Sequence, residues 1–416
     1  MNVLYFHQHF STPKGAAGQR SYEMAQRLLL RGHQVTMICG SYQVGYTGLD
    51  MPFKKGMRQG HVDGIHVIEF DLAYSNHDGF LKRSFTFLKF AIRTIKFIFT
   101  LKYDVVFATS TPLSVGIPGI IARWLKRKPF VFEVRDLWPE LPKAMGVITN
   151  PFVLLCLSII ERASYYSANA LIGLSPGIVA GIAKCGISKE NITMVSNGCD
   201  IDLFQNVTAS ARPVGVGDSD LMVVYTGTHG IANGLNAVLD AACELKRRGR
   251  SDIKLILMGQ GKLKPSIQAR VKQEGLDSVL LLDPLPKNKL AEFMASADLG
   301  LQILSNIPAF YEGTSPNKFF DYIASGLPVL INYPGWLAEK IHVHDCGFIV
   351  SPENCIHFAD MLEEAARDKN RLKAMGERAL QLAKTEFDRK ILSETWVNII
   401  ETVMVANKIG SVKVLD

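Results

Sequence analysis

A chain of 416 residues is too long for one ordinary hydrophobic core, and its 48% hydrophobic residues suffice for two α/β domains of about 200 residues each. The seven cysteines are scattered, odd in number and free of any CxxC pair, which argues against a disulfide framework or a zinc site and favours reduced thiols in the cytoplasm. The amino terminus, MNVLYFHQHF, has no basic start and no long apolar core, so it predicts a buried strand rather than a signal peptide.

The net charge of +7 is unevenly distributed. Residues 1–200 hold 22 Lys and Arg against 13 Asp and Glu, which is +9, and the remainder holds 24 against 26, which is −2. A basic first half favours an anionic partner such as phosphate, lipid head groups or nucleic acid. An ordinary solvated surface is the alternative.

The first half alternates apolar runs with segments of helical period, a pattern typical of parallel sheets covered by helices. VLYFHQHF predicts a strand, STPKGAAG a loop, the following residues a helix from about Gly18 to Gly32, and HQVTMICG a second strand. Further strands are predicted at 103–110, 130–134, 170–175 and 192–197. The polar stretch TASARPVGVGDSD has the composition of a linker and predicts a domain boundary near residue 200.

The second half repeats this order with the strand LMVVYTG, the loop THGIANG, a helix with an apolar face and the strand IKLILMGQG. Two such beginnings, about 220 residues apart, predict two doubly wound, Rossmann-like α/β domains, at 1–200 and 201–385. Ligands of such sheets bind at the carboxyl ends of the strands, so we expect an interdomain cleft.

Two loops of the first domain are candidates for binding. Gly15 to Gly18, followed by Arg20, lie between a strand and a helix, where backbone N–H groups attract phosphate or sugar, although a tight turn without a ligand explains the glycines as well. FEVRDLWPE places Arg135, Asp136 and Glu140 after a strand, where they could hold a hydroxyl or a phosphate. A structural ion pair is the alternative.

The most specific segment is YEGTSPNKFFDYIASGLPVL, residues 311–330. Ser315 and Asn317 are expected to cap a helix that begins near Pro316, with its amides facing an anion. Lys318 in the first turn suits a diphosphate, and Asp321 on the same face could accept hydrogen bonds from ribose hydroxyls.

At this point the chain resembles a family 4 glycosyltransferase of the GT-B fold, and it is similar to bacterial O-antigen and capsule transferases that move N-acetylfucosamine. The resemblance rests on GAAGQRSYEMAQRLLLRGHQVTM, EVRDLWPE, MVSNGCDIDLF, VYTGTHGIANGLNAVLDAA, LILMGQGKLKPSI, PLPKNKLAEFMASADLGL and GTSPNKFFDYIASGLPVL, in family order over nearly the whole chain. It implies transfer with retention of configuration, without metal or cofactor, from a UDP-linked sugar bound by the second domain. The acceptor, an undecaprenyl-diphosphate-linked saccharide, would bind the first domain, and a terminal helix at 386–416 would return to that domain.

The resemblance also implies roles for individual residues. Arg135, Asp136 and Lys318 are expected to be catalytic, and Arg135, Asp136 and Glu140 to contact the acceptor. The residues expected around the donor are Gly15, Gly18, Arg20, Gly227, Thr228, Gly259, Gly261, Lys287, Ser315, Pro316, Asn317, Lys318 and Asp321. No pair of carboxylates with an obvious nucleophile role is visible, and the resemblance implies front-face displacement, with a donor phosphate oxygen taking the acceptor proton.

Three departures from the family pattern are visible. Glu312 precedes Asp321 by nine residues instead of eight, which leaves its role as the first carboxylate open. Thr228 and Asn233 replace the usual Arg and Lys, so the leaving diphosphate needs other cations, with Lys318, Lys287, Arg20 and Arg135 as candidates. Arg135 also stands where relatives have His.

The segment 82–103 predicts a helix with a stripe of cations, Lys82, Lys89, Arg93 and Lys96, and apolar residues around most of the remaining surface. Three cations between 89 and 96 disfavour a spanning helix. An interfacial helix on the cytoplasmic membrane surface is the hypothesis, through Phe85, Phe97 and Phe99. A helix that covers the sheet is the alternative.

Two other classes remain open. A sugar-nucleotide epimerase shares the two-domain architecture. A nonenzymatic nucleic-acid binder would use the basic half, but no aromatic-basic motif of that class is visible, so no nucleic acid is expected as a partner.

Overall fold

In the computed structural model, which describes residues 1–15, 18–75 and 78–412, the chain forms two α/β units. The first unit holds Met1–Ser196, Glu312–Thr314 and the residues from Lys390 onward. The second holds Asn197–Tyr311 and Ser315–Arg389. The predicted fold class, α/β with two Rossmann-like domains, is confirmed.

The elements of the first unit alternate between strands and helices, apart from one hairpin. In chain order they are β1 (Asn2–Phe6), α1 (Arg20–Leu30), β2 (Gln34–Tyr42), β3 (Met57–Val62), β4 (Ile65–Tyr74), α2 (Phe80–Thr100), β5 (Val105–Thr109), α3 (Gly116–Leu125), β6 (Phe130–Val134), α4 (Glu140–Ala144), α5 (Pro151–Ser167), β7 (Ala170–Gly173), α6 (Pro176–Lys184) and β8 (Ile192–Met194).

Within the described residues these strands form one eight-stranded sheet in the order β3-β4-β2-β1-β5-β6-β7-β8. All neighbours are parallel except β3 and β4, which form an antiparallel hairpin at one edge. The chain reverses its direction of winding between β1 and β5, so the carboxyl ends of these strands flank the crevice where such sheets bind ligands.

Helices cover both faces of the first sheet. Leu4 and Phe6 of β1 face the core under α2, α3, α5 and α6, while Val3 and Tyr5 face the core under α1. The last helix that the structure describes, α15 (Arg389–Val412), packs on the α1 side of this sheet through Trp396, whose ring lies 4.6 Å from that of Phe107. Both faces of the central strands are therefore apolar, as a parallel sheet requires.

The second unit repeats the alternation in shorter elements. They are α7 (Ile201–Gln205), β9 (Leu221–Thr226), α8 (Asn236–Arg247), β10 (Ile253–Met258), α9 (Lys264–Glu274), β11 (Val279–Leu282), α10 (Lys287–Met294), β12 (Leu299–Gln302), α11 (Asn317–Ala324), β13 (Val329–Ile331), α12 (Trp336–Val343), β14 (Gly347–Ile349), α13 (Cys355–Arg367) and α14 (Lys369–Glu386), followed by α15 (Arg389–Val412).

The second sheet is parallel throughout, in the order β11-β10-β9-β12-β13-β14. Its direction of winding reverses between β9 and β12. A ligand site in this unit is therefore expected at the loops after β9 and β10 and at the start of α11.

Two features differ from the sequence expectations. The hairpin β3–β4 was not predicted, because its residues alternate weakly and only β4 is buried along most of its length. The first helix begins at Arg20 instead of Gly18, and Ala16 and Ala17 of the expected phosphate loop lie outside the described residues. No helix in the described part of the chain is both long and apolar enough to cross a bilayer.

Candidate functional site

The start of α11 is the centre of the candidate site in the second unit. Pro316 precedes the helix and fixes the entry of the chain, and residues from Phe319 to Ala324 are buried. No side chain caps this helix, which corrects the expectation for Ser315 and Asn317. The Ser315 hydroxyl instead accepts a hydrogen bond from the Asn197 backbone N–H at 3.1 Å, so Ser315 anchors the loop before the helix.

Lys318, in the first turn of α11, points to the loop after β9. Its Nζ lies 3.2 Å from Oδ1 of Asn233 and 4.9 Å from the centre of the Tyr225 ring. A Cβ at Gly227 would come within 2.8 Å of Lys318 Cε, so this position is kept small. Burial lowers the pKa of Lys318 to about 8. No ion pair involving Lys318 occurs among the described residues, and the cation is therefore held by a neutral amide and a ring face.

The glycines expected near the donor bring two backbone segments into contact. A Cβ at Gly259 would stand 1.8 Å from the Gly227 carbonyl oxygen, and one at Gly261 would stand 2.5 Å from the carbonyl oxygen of His229. Thr228 lies between Gly227 and His229 in the first of these segments, and its carbonyl oxygen accepts a hydrogen bond from the Tyr225 hydroxyl. Only glycine permits this approach of the loops after β9 and β10.

His229 is fully buried between these loops, and neither ring nitrogen has a hydrogen-bond partner among the described residues. Burial, helped by the positive charge of Lys264, lowers its pKa to about 4, so the ring is neutral near pH 7. A buried polar ring without partners is uncommon, and it is a mark of a ligand site. His229 was not among the residues expected at the site from the sequence, although its position in the THG loop directly after a strand could have indicated it.

Lys287 and Asp321 belong to a different cluster of charges. The Lys287 ammonium pairs with Asp200 and lies 3.5 Å from an Asp321 carboxylate oxygen, and Arg389 pairs with Asp200 from the other side. Burial raises the pKa of the Asp200 carboxyl, but the positive charges of Arg389 and Lys287 outweigh this effect and hold that pKa at about 2. Burial raises the pKa of Asp321 in spite of Lys287.

This cluster shows how two residues expected around the donor are paired. Lys287 lies between two carboxylates, and its role beside a diphosphate stays a prediction. Asp321 is 9% exposed and contacts Lys287, which ties α11 to α10, and its role on the ribose stays a prediction.

In the first unit, the loop before α1 folds back on itself. The Gly15 N–H donates to the Thr12 carbonyl, and a Cβ at Gly15 would meet the Ser11 hydroxyl at 2.2 Å. Gly18 is exposed. The tight turn alone accounts for Gly15.

Arg20 is an interior residue. It donates to the Glu133 carboxylate at 2.8 Å and to the carbonyl oxygens of Ser196 and Val195, and both charged side chains are at most 1% exposed. Burial raises the pKa of the Glu133 carboxyl, but the Arg20 guanidinium outweighs this effect and holds that pKa below its usual value. Arg20 therefore joins α1 to the carboxyl ends of β6 and β8, and its expected place at the donor stays a prediction.

The other residues expected for catalysis in the first unit, Arg135 and Asp136, make two separate contacts. The Thr111 hydroxyl donates to Asp136 at 2.7 Å, and an Arg135 guanidinium nitrogen lies 3.4 Å from Nε2 of His7. These groups lie after β5, β6 and β1, at the point where the winding reverses. Glu140 is exposed at the start of α4, with no contact that joins it to the others. The sequence argument missed His7 and Thr111.

No group of three or more His, Cys, Asp or Glu side chains in the described parts of the chain is arranged to hold a metal ion. The chemical groups available in the first unit are a carboxylate, a guanidinium and a neutral imidazole. In the second unit they are a partly desolvated lysine, backbone amides and a neutral imidazole.

Two family models match the chain, one in each half. A glycosyl transferase 4-like domain matches residues 15–198, and the glycosyl transferases group 1 domain matches residues 208–382. A curated relative, the D-inositol 3-phosphate glycosyltransferase of Nocardia farcinica, is 26% identical over 204 residues, which are 47% of this chain and 44% of the relative. The chain spans about half the length of the curated relatives it matches.

Solved structures match over nearly the whole chain. Sucrose-phosphate synthase from Thermosynechococcus elongatus superposes with a TM-score of 0.75 at 16% identity, covering 97% of this chain and 99% of that one. HepE from Anabaena, solved in complex with UDP, gives a TM-score of 0.66 at 16% identity, and the match covers 97% of this chain and 100% of HepE. At these identities the likeness shows the fold.

Proposed function

We propose a reaction for this chain, which belongs to the family 4 glycosyltransferases and has the GT-B fold. It transfers a sugar, N-acetyl-L-fucosamine being our candidate, from a UDP-linked donor to a lipid-linked saccharide with retention of configuration. The reaction needs no metal and takes place at the cytoplasmic face of the membrane, in the assembly of bacterial O-antigen or capsule.

Lys318 is the observation that carries the proposal. A partly buried ammonium that lacks a carboxylate is costly unless an anion joins it, and the backbone amides at the start of α11 together with Asn233 provide a polar rim for that anion. A nucleoside diphosphate fits, since its phosphates would supply the missing negative charge. HepE, solved with UDP, has the same fold, which supports UDP as the carrier.

The chemistry follows from the charge that the leaving diphosphate gains. Lys318 would stabilise this charge, and loss of one such contact commonly costs about 3 kcal/mol of barrier. In the first unit, Asp136 is oriented by Thr111 and would hold the acceptor hydroxyl, while Arg135 adds positive charge near it. We propose front-face displacement, in which a donor phosphate oxygen takes the acceptor proton.

A membrane contact is part of the proposal, and an exposed apolar layer supports it. The helices α2, α3 and α5 cover the same face of the first sheet and leave large apolar side chains in solvent: Phe85, Leu88, Ile92, Phe99, Trp124, Leu125, Phe152, Leu155 and Ile159. We call these nine side chains the apolar face. Exposed Lys89, Lys96 and Lys126 lie on the same helices or just after them, and Lys126 stands 5.8 Å from the Phe99 ring. Apolar side chains among lysines suit an anionic lipid surface.

One expectation about this helix is wrong. Phe97 is 6% exposed and packs against Phe70 in the core, so it is not available to lipid. Phe85 and Phe99 are at least half exposed.

The test of the function is a donor screen followed by transfer. UDP-, GDP- and dTDP-sugars are added to the whole protein, and the shift in melting temperature selects the base. The selected sugar is then incubated with a short-chain lipid diphosphate saccharide, with and without EDTA, and the product is analysed by mass spectrometry. Protection by no sugar nucleotide would overturn the proposal. Interconversion of free donor without an acceptor would identify an epimerase instead.

A further inference from the structure

The carboxyl-terminal end of β1 holds a concentration of buried polar atoms that the reaction above does not use. Nδ1 of His7, Nε2 of His9 and both amide atoms of Gln8 are buried, and none has a hydrogen-bond partner among the residues that the structure describes. His7 and Gln8 are at most 2% exposed. Several adjacent unpartnered groups indicate a ligand site, because each one costs free energy when it is left unsatisfied.

Two arginines complete this group. Arg135 lies 3.4 Å from His7, the His7 and His9 rings are 6.4 Å apart, and His9 packs on Tyr74 at 4.4 Å. The Arg83 guanidinium lies 6.0 Å from the centre of the same Tyr74 ring. We call the following five residues the β1-end cluster: His7, Gln8, His9, Arg83 and Arg135.

Both histidines of this cluster are neutral, and His7 is a hydrogen-bond donor. Burial, with the charges of Arg135 and Arg83, lowers the pKa of His9 to about 3, and burial with Arg135 also lowers the pKa of His7, so both rings are neutral. Because a guanidinium can only donate, Nε2 of His7 accepts from Arg135 and the His7 proton resides on Nδ1. That buried N–H has no acceptor.

The two cations lack carboxylate partners as well. Neither Arg83 nor Arg135 forms an ion pair among the described residues, and Nε of Arg83 is buried without a partner. Two acids that interact with these cations electrostatically form their ion pairs elsewhere: Glu133 pairs with Arg20, and Asp78 pairs with Lys82. An anion that offers several oxygen acceptors would satisfy the orphaned donors and both charges.

We infer that the β1-end cluster binds the diphosphate group of the lipid-linked acceptor. The inference rests on the proposed function for the identity of the ligand, and helix α2 provides the link. The Phe87 ring of α2 lies 6.1 Å from the His9 ring, and Arg83 of the same helix lies beside Tyr74, while Phe85, Leu88 and Ile92 belong to the apolar face. A diphosphate attached to a lipid in the membrane would therefore meet Arg83 close to the helix that contacts that membrane.

The experiment measures binding directly, so that it does not depend on turnover. Geranyl diphosphate, a short soluble lipid diphosphate, is titrated into the whole protein by calorimetry, in wild type, Arg83→Gln and His9→Phe. The last variant keeps a ring against Tyr74 and removes both nitrogens. The control is Lys184→Gln, an equal loss of charge at the last turn of α6, which lies at the opposite edge of the sheet.

Wild type should bind geranyl diphosphate, and Arg83→Gln should weaken binding about tenfold or more, the effect of one lost charge-assisted hydrogen bond. His9→Phe should weaken binding several-fold, Lys184→Gln should not change it, and all variants should melt within about 2 °C of wild type. Excess UDP should leave binding unchanged.

Three results would overturn the inference. One is equal binding of geranyl diphosphate by Arg83→Gln and wild type. Another is displacement of geranyl diphosphate by UDP, which would assign its diphosphate to the second unit. The third is an enzyme that transfers sugar to a lipid-linked acceptor but does not bind geranyl diphosphate, and in that case the proposed function would stand without this site.

Discussion

The ammonium group of Lys318 donates to the amide oxygen of Asn233 at 3.2 Å, and no carboxylate shares it among the described residues. The same unit holds a second partly buried lysine, Lys287, which lies between Asp200 and Asp321. The contrast separates two roles that look alike in the sequence. The charge of a lysine between two carboxylates is already balanced, whereas a lysine with one neutral partner can still bind an anion.

Lys318→Met should weaken UDP binding at least tenfold, because the substitution keeps the length of the side chain and removes its charge. The fold should remain, since the methionine can pack against Tyr225. Calorimetry with UDP measures the effect, and Lys272→Met, an exposed lysine of α9, is the matched control. Equal UDP affinity in the two variants would remove Lys318 from the donor site.

UDP affinity should also depend on pH through Lys318. The pKa of Lys318 in the free protein is about 8, so the ammonium is charged below pH 8 and progressively neutral above it. Affinity should be nearly constant from pH 7 to 7.5 and fall by up to about tenfold per pH unit above pH 8. Titrations between pH 7 and 9.5 measure this, and a slope that persists in Lys318→Met would show that another group is responsible.

Lys287→Met should destabilise the second unit. It leaves the Asp321 carboxylate buried without its cation, while Asp200 keeps Arg389. We expect a loss of about 2–4 kcal/mol in the free energy of unfolding, measured with urea at pH 7. Unchanged unfolding together with lost UDP affinity would instead return Lys287 to the diphosphate.

Arg20→Met should destabilise the first unit more than Arg27→Met does. Arg20 and Glu133 form a fully buried pair, and loss of Arg20 should cost about 3–5 kcal/mol, since Glu133 would be left in the core without its cation. The pair of Arg27 and Glu394 is partly exposed and should be worth about 1 kcal/mol or less. Denaturant unfolding of both variants tests this difference, and equal losses would contradict the burial argument.

The membrane contact should depend on the exposed side of α2. Phe85, Ile92 and Phe99 changed together to Ser should abolish flotation with anionic liposomes at low salt, while wild type floats. The control changes exposed Val343 and Ile356 of the second unit to Ser. If wild type stays at the bottom of the gradient, the peripheral-membrane proposal is wrong.

The sequence by itself determined much of the architecture. Strand 130–134 was predicted with its observed bounds, α2 was predicted within three residues at each end, and Gly32 ends the first helix with a positive φ of 77°. These features depend on local periodicity and on backbone conformations that only some residues adopt, so they can be recognised without tertiary contacts. The position of Lys318 at a helix start was predictable for the same reason.

Only the tertiary structure decided which candidates remain available to a ligand. Arg20 meets Glu133 from 113 residues away, and Lys287 meets Asp200 from 87 residues away, through the order of strands and helices in each unit. Phe97 and Phe99 of one helix differ in the same way, because the sheet covers one and leaves the other in solvent. Whether a charge is paired or a ring is covered depends on long-range neighbours, and no local pattern in the sequence specifies them.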